Sequence, residues 1–121
     1  MKSNIEKWFL SLKEIWLSKD ITKVKNLLSE KFEYYEDPFD PPITDLIEIE
    51  NIWKIIENED IISLDIDLIM EKDNMGIASY NFIYKDTENI THNSKGIYFV
   101  KIDVTGRATE FRRWWASKVL K

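Results

Sequence analysis

Apolar residues recur at three- and four-residue spacing through Ile5, Trp8, Phe9, Leu12, Ile15 and Trp16, which predicts a helix with one buried face. Ser3, with Glu6 three residues later, supplies a capping box at its start. A second, short helix opens at Asp20 and turns Val24, Leu27 and Leu28 inward. Residues 31–37 read as a strand, with Phe32, Tyr34 and Glu36 on one face and Glu33, Tyr35 and Asp37 on the other. Pro38, Pro41 and Pro42 then hold an extended turn, since each fixes φ and removes a backbone donor. Thr44 caps a third helix whose apolar positions are Leu46, Ile47, Ile49, Ile52, Trp53 and Ile56.

Beyond residue 60 the period changes from helical to alternating. Ile62, Leu64, Ile66, Leu68 and Met70 share one strand face, as do Ala78, Tyr80, Phe82 and Tyr84 in the next strand, and Gly96, Tyr98, Val100 and Ile102 in the one after. Asp73-Asn74-Met75-Gly76 and Val104-Thr105-Gly106 read as hairpin connections. The final strand, 108–117, puts Phe111, Arg113 and Trp115 on one face and Glu110, Arg112 and Trp114 on the other. Helix-helix-strand-helix followed by a meander predicts one α+β domain over residues 1–121, with helices on one side of a curved sheet.

A net charge of −5 argues against a nucleic-acid footprint, which needs a basic face. Arg107, Arg112, Arg113, Lys118 and Lys121 gather near the C-terminus, where a solvated surface and local ion pairs account for them. With no cysteine, disulfides and thiolate metal sites are excluded. His92 is the single histidine and has no carboxylate at ligand spacing, so no metal is expected. Gly76, Gly96 and Gly106 lie too far apart to cradle a phosphate, and nothing in the chain calls for a cofactor. Lys13 and Glu14 interrupt the first apolar stretch, and no run approaches the ~18 apolar residues of a membrane span. The expectation is a cytoplasmic protein, in which Asn89-Ile90-Thr91 is only a turn.

The element order resembles that of the NTF2-like superfamily, and within it the SnoaL-like and ketosteroid-isomerase-like branch. The motifs that carry this are Tyr35-Glu36-Asp37-Pro38-Phe39, residues 45–53, and the ending Gly106-Arg107-Ala108-Thr109-Glu110-Phe111-Arg112-Arg113-Trp114-Trp115. The resemblance covers nearly the whole chain. It implies a cone in which three N-terminal helices pack on a strongly bent antiparallel sheet, an apolar pocket between them for a small apolar or aromatic ligand, and a homodimer through the outer sheet face. It places Leu12, Trp16, Tyr35, Phe39, Ile52, Tyr80, Phe82, Phe111, Arg113 and Trp115 around that pocket.

In ketosteroid isomerases a Glu-Asp-Pro run ends the first strand, and its Asp is the proton-shuttling base; that position is Asp37 here. A carboxylate in an apolar pocket is partly desolvated, which raises its pKa toward the range useful for moving a proton beside a carbonyl. Two donors to the enolate oxygen complete that family's site. The helix position falls at Leu12, which cannot donate, and the strand position at Tyr98, which can. Trp16, one turn beyond Leu12, offers an indole N–H if it turns inward. Asp37 has a second reading, as a side-chain cap of the turn before Pro38. Arg113 either pairs with Asp37 or Glu33 in the pocket or reaches solvent.

Three functions stay open at this point. The first is proton transfer on a small cyclic or aromatic carbonyl compound, with Asp37 as base and Tyr98 as oxyanion donor. The second is non-catalytic binding of an apolar metabolite. The third is a dimeric interaction module whose pocket its own aromatic rings fill.

Overall fold

The computed structural model describes residues 2–121. Helix α1 (Asn4–Ser18) begins at the expected capping box: Ser3 Oγ accepts from Glu6 N at 3.1 Å while Glu6 reaches back to Ser3 N. It buries Ile5, Trp8, Phe9, Leu12 and Ile15, and stops at Lys19, a left-handed residue whose N–H caps the Ile15 and Trp16 carbonyls. The second helix is 3₁₀ in kind (Ile21–Leu27), capped by Asp20 at Thr22 N. Strand β1 (Leu28–Tyr35) starts and ends earlier than the alternation suggests. Beyond the proline turn the chain returns along it, with Tyr34 and Ile43 exchanging both backbone hydrogen bonds. Helix α2 (Leu46–Trp53) is capped by Asp45 rather than Thr44 and tightens into a 3₁₀ turn (Lys54–Asn58).

Four strands follow: β2 (Asp60–Lys72), β3 (Met75–Lys85), β4 (Thr91–Ile102) and β5 (Ala108–Val119). The sheet order is β1-β5-β4-β3-β2. The meander is antiparallel, but β1 runs parallel to β5, so the sheet is mixed and the expectation of a wholly antiparallel one is corrected. The physical reason is connectivity. A parallel pair cannot close through a tight turn, and all the chain between β1 and β5 serves as the crossover.

Two bulges in β2 produce the second correction. Register shifts at 61/63 and 68/70 leave Leu64, Ile66 and Leu68 on the inner face but expose Ile62 and Met70 at 52% and 64%. The inner face otherwise reads as expected, with Ala78, Tyr80, Phe82, Val100, Ile102 and Phe111 buried beneath the helices. Most of the core forms one cluster around α1, and Leu64, Tyr80 and Phe82 form a second. Trp16, Ile66 and Tyr98 pack against both. No helix among the described residues is long and apolar enough to cross a membrane.

Candidate functional site

Between the inner face of the sheet and the helices lies a cavity of about 450 Å³, within the range of small-molecule sites. Helix α1 contributes Leu12 and Trp16, and β1 with its C-terminal extension contributes Tyr34 and Glu36. Helix α2 and the turn after it give Ile52, Trp53, Ile55 and Glu59. The sheet closes the wall with Leu64, Tyr80, Phe82, Tyr84, Ser94, Tyr98, Phe111, Arg113 and Trp115.

Nine of the residues expected around a pocket or at its chemistry are thus brought together: Leu12, Trp16, Ile52, Tyr80, Phe82, Tyr98, Phe111, Arg113 and Trp115. Tyr35, Asp37 and Phe39 lie off this wall. The Tyr35 ring stacks under the Arg112 guanidinium on the outer face, at 3.9 Å. Phe39 is 94% exposed at the tip of the proline turn. Asp37 is half-buried, and its Oδ1 accepts from Phe39 N at 2.9 Å, the geometry of a turn cap. Strand parity explains Tyr35 and Asp37: Leu28, Phe32 and Tyr34 are the buried residues of β1, so the next inward position is Glu36. That alternation was the signal in the sequence for Glu36.

Arg113 faces the cavity and holds Glu36 twice, through Nη2 to Oε1 at 2.7 Å and through Nε to the Glu36 carbonyl at 3.3 Å. Burial pushes the Glu36 carboxyl upward, and the Arg113 guanidinium and the Tyr34 hydroxyl pull it partly back. A carboxylate held at two points by one guanidinium is fixed in place to orient a ligand.

The phenols differ in how they are used. Tyr34 Oη accepts from Trp53 Nε1 at 3.2 Å, and Tyr80 shares a hydrogen bond with Ser94 Oγ at 3.2 Å. Tyr98 stacks on Tyr80 with centroids 4.3 Å apart, and its hydroxyl makes no side-chain hydrogen bond among the described residues. Burial drives Tyr98 far above the ordinary phenol range, so it remains a neutral donor. Trp16 does turn inward, packed edge-on against Trp53 and Phe82, and its Nε1 is buried without a hydrogen-bond partner among the described residues.

Glu59 gave no signal in the sequence, because it lies where the helical period has ended and the alternating one has not begun. Lys19 Nζ donates to its backbone carbonyl, tying the end of α1 to the start of β2. Burial pushes the Glu59 carboxyl from 4.5 to about 7, against the pull of Lys19, His92 and Arg113. The folded chain therefore keeps a proton that the unfolded chain releases near pH 4.5. This contribution to stability is fully present below that value and is lost as pH rises toward about 7. Glu59→Gln is expected to flatten this slope in urea melts taken across that window; an unchanged slope would assign the titration to another group. Among the described residues no three His, Asp or Glu side chains gather as metal ligands.

No known family profile matches the sequence, and no curated protein matches it. Solved structures do. A Mycobacterium tuberculosis protein, RV0760c, superposes with a TM-score of 0.86 at 9% identity, covering 98% of each chain. Delta 5-3-ketosteroid isomerase from Mycobacterium sp. gives 0.84 at 9% identity, over 98% of this chain and 100% of its own. A computationally designed 17-OHP binder gives 0.81 at 11% identity, over 94% and 95%. End-to-end coverage at these scores shows that the chain has the fold of ketosteroid isomerase, the NTF2-like fold.

Proposed function

We propose that the protein binds one small, largely apolar ring compound in this cavity, and that binding rather than turnover is its role. The observation that carries this is the pairing of an open, aromatic-walled space with Tyr98, a buried phenol free of protein hydrogen bonds among the described residues, beside the fixed Glu36–Arg113 pair. The ring system would lie among Trp16, Trp53, Phe82 and Phe111, and a ligand oxygen would accept from Tyr98. Two of the similar structures are, by their names, a 17-OHP binder and a ketosteroid isomerase, which supports a ligand-holding use of the space. Catalysis by Asp37 is the weaker reading, because its carboxylate is occupied at the turn and leaves Glu36, already paired, on the wall.

A thermal-shift panel of neutral bicyclic ketones and phenols, run on wild type, Tyr98→Phe and Asp37→Asn, tests this. Ligand at about a hundred times its Kd should stabilise the wild type by about 2.7 kcal/mol. Tyr98→Phe should weaken binding by about 1 kcal/mol, the worth of one neutral hydrogen bond. Asp37→Asn should leave binding unchanged. Loss of binding in Asp37→Asn would return the acid to the site and reopen the proton-transfer reading.

The outer sheet face supports self-association. Ile77 pairs with Phe99 and Ile97 with Trp114, giving an apolar strip in which Trp114 is 41% exposed. Sedimentation equilibrium should give twice the chain mass for wild type and a single chain for Trp114→Lys. A monomeric wild type would remove the dimer.

A further inference from the structure

Resting on the binding role above, we infer that the ligand carries a protonated amine, seated against the Glu59 carboxylate with its rings among the aromatic side chains of the wall. The charges lining the cavity lead to this. Arg113 and Glu36 neutralise one another at 2.7 Å, which leaves Glu59 as the one other carboxylate on the wall. It forms no ion pair among the described residues, and its Oε1 is buried with no hydrogen-bond partner.

The groups that face Glu59 come from four elements, and each basic side chain among them is already engaged. Lys19, at the end of α1, spends its ammonium on the Glu59 backbone carbonyl. His92, on β4, is held by Asp86 through Nε2 at 2.7 Å and stacks on Tyr84. Arg113, on β5, is held by Glu36. Tyr84, on β3, brings an uncharged phenol whose own ionisation burial opposes. The carboxylate is therefore desolvated faster than the protein compensates it, and the missing partner is a cation. An anionic ligand would meet repulsion here and find Arg113, the one wall cation among the described residues, taken. A ring-rich wall favours the same charge, since the face of a tryptophan, tyrosine or phenylalanine ring attracts an ammonium group.

The test compares 2-(naphthalen-2-yl)ethylamine with its isosteric alcohol, 2-(naphthalen-2-yl)ethanol, by isothermal titration calorimetry on the full chain. At about pH 8, above the Glu59 titration, the amine should bind at least about tenfold more tightly than the alcohol. The preference should shrink as pH falls through about 7 and Glu59 takes up a proton, while the alcohol affinity stays level. Glu59→Gln should bind the amine no more tightly than the alcohol. Equal affinities in the wild type, or a preference that survives Glu59→Gln, would overturn the inference and leave the cavity reading in place. If neither compound binds the wild type, both fall together.

Discussion

Replacing Gly96 with alanine is expected to separate β4 from β5 and to cost roughly 3 kcal/mol or more, the upper end for overpacking, because the obstacle is backbone. Gly96 faces inward opposite Trp115. A Cβ there would run into the Trp114 carbonyl oxygen and lie 2.9 Å from both the Trp114 carbonyl carbon and the Trp115 Cα. A side chain could rotate away from such a contact, but a strand backbone cannot move without breaking its ladder. The same two strands carry Tyr98, Arg113 and Trp115, so ligand affinity should fall with stability. A drop in Tm of roughly 10 °C is the expected scale for a domain of this size. Lys95→Ala, one residue away on the exposed face, should change little. A Gly96→Ala melt within about 0.5 kcal/mol of wild type, the ordinary range for surface substitutions, would show that the strands are not so closely apposed.

Arg113→Met is the second large effect, and its size depends on pH. The substitution keeps most of the volume but leaves the Glu36 carboxylate without its partner and the Glu36 carbonyl without a donor. Breaking a fully buried pair costs about 3–5 kcal/mol; because these side chains are 23% and 28% exposed, about 2–3 kcal/mol is expected near neutral pH. Burial already pushes Glu36 upward, and removing the guanidinium leaves that push opposed by the Tyr34 hydroxyl alone. A carboxyl with a raised folded pKa favours the fold while protonated and loses that contribution as pH rises through the raised value. The deficit relative to wild type should therefore be largest near neutral pH and should shrink as acid protonates Glu36. Adding Glu36→Gln to Arg113→Met should recover most of the loss, since no unpaired charge then remains. A deficit that is constant with pH, or a double variant no better than the single, would show that Arg113 acts through packing alone.

The parts of the fold that were legible in the sequence are those set by local period. The α1 stripe from Ile5 to Ile15, its capping box and the inward sets on β3, β4 and β5 all follow from residues a few positions apart. What was not legible depends on partners distant in the chain. Nothing near β1 signals that it will lie parallel to β5, some 80 residues away, because pairing direction is a property of the whole crossover. The β2 bulges move Ile62 and Met70 outward where Ile61-Ile62 and Leu68-Ile69-Met70 interrupt the alternation, and such apolar runs do not say which member turns inward. At the site, Tyr80, Phe82, Tyr98, Phe111, Arg113 and Trp115 were within reach because strand parity carries them. The choice between the adjacent acids Glu36 and Asp37 was equally a matter of parity, with Phe32 and Tyr34 giving the count. Glu59 was out of reach, since its importance comes from the end of one helix, three strands and the cavity they enclose.

The cavity is the centre of this account, and the most direct measurement is where a bound ring compound lies. Isotope-filtered nuclear Overhauser contacts between 2-(naphthalen-2-yl)ethylamine and labelled protein would read this without assuming a pose. Contacts to Tyr98, Phe111, Phe82 and Trp16 are predicted, since these rings line the space between helices and sheet. Contacts confined to Trp114 and Phe99 on the outer face, or saturating binding with no contact to the inner wall, would contradict it.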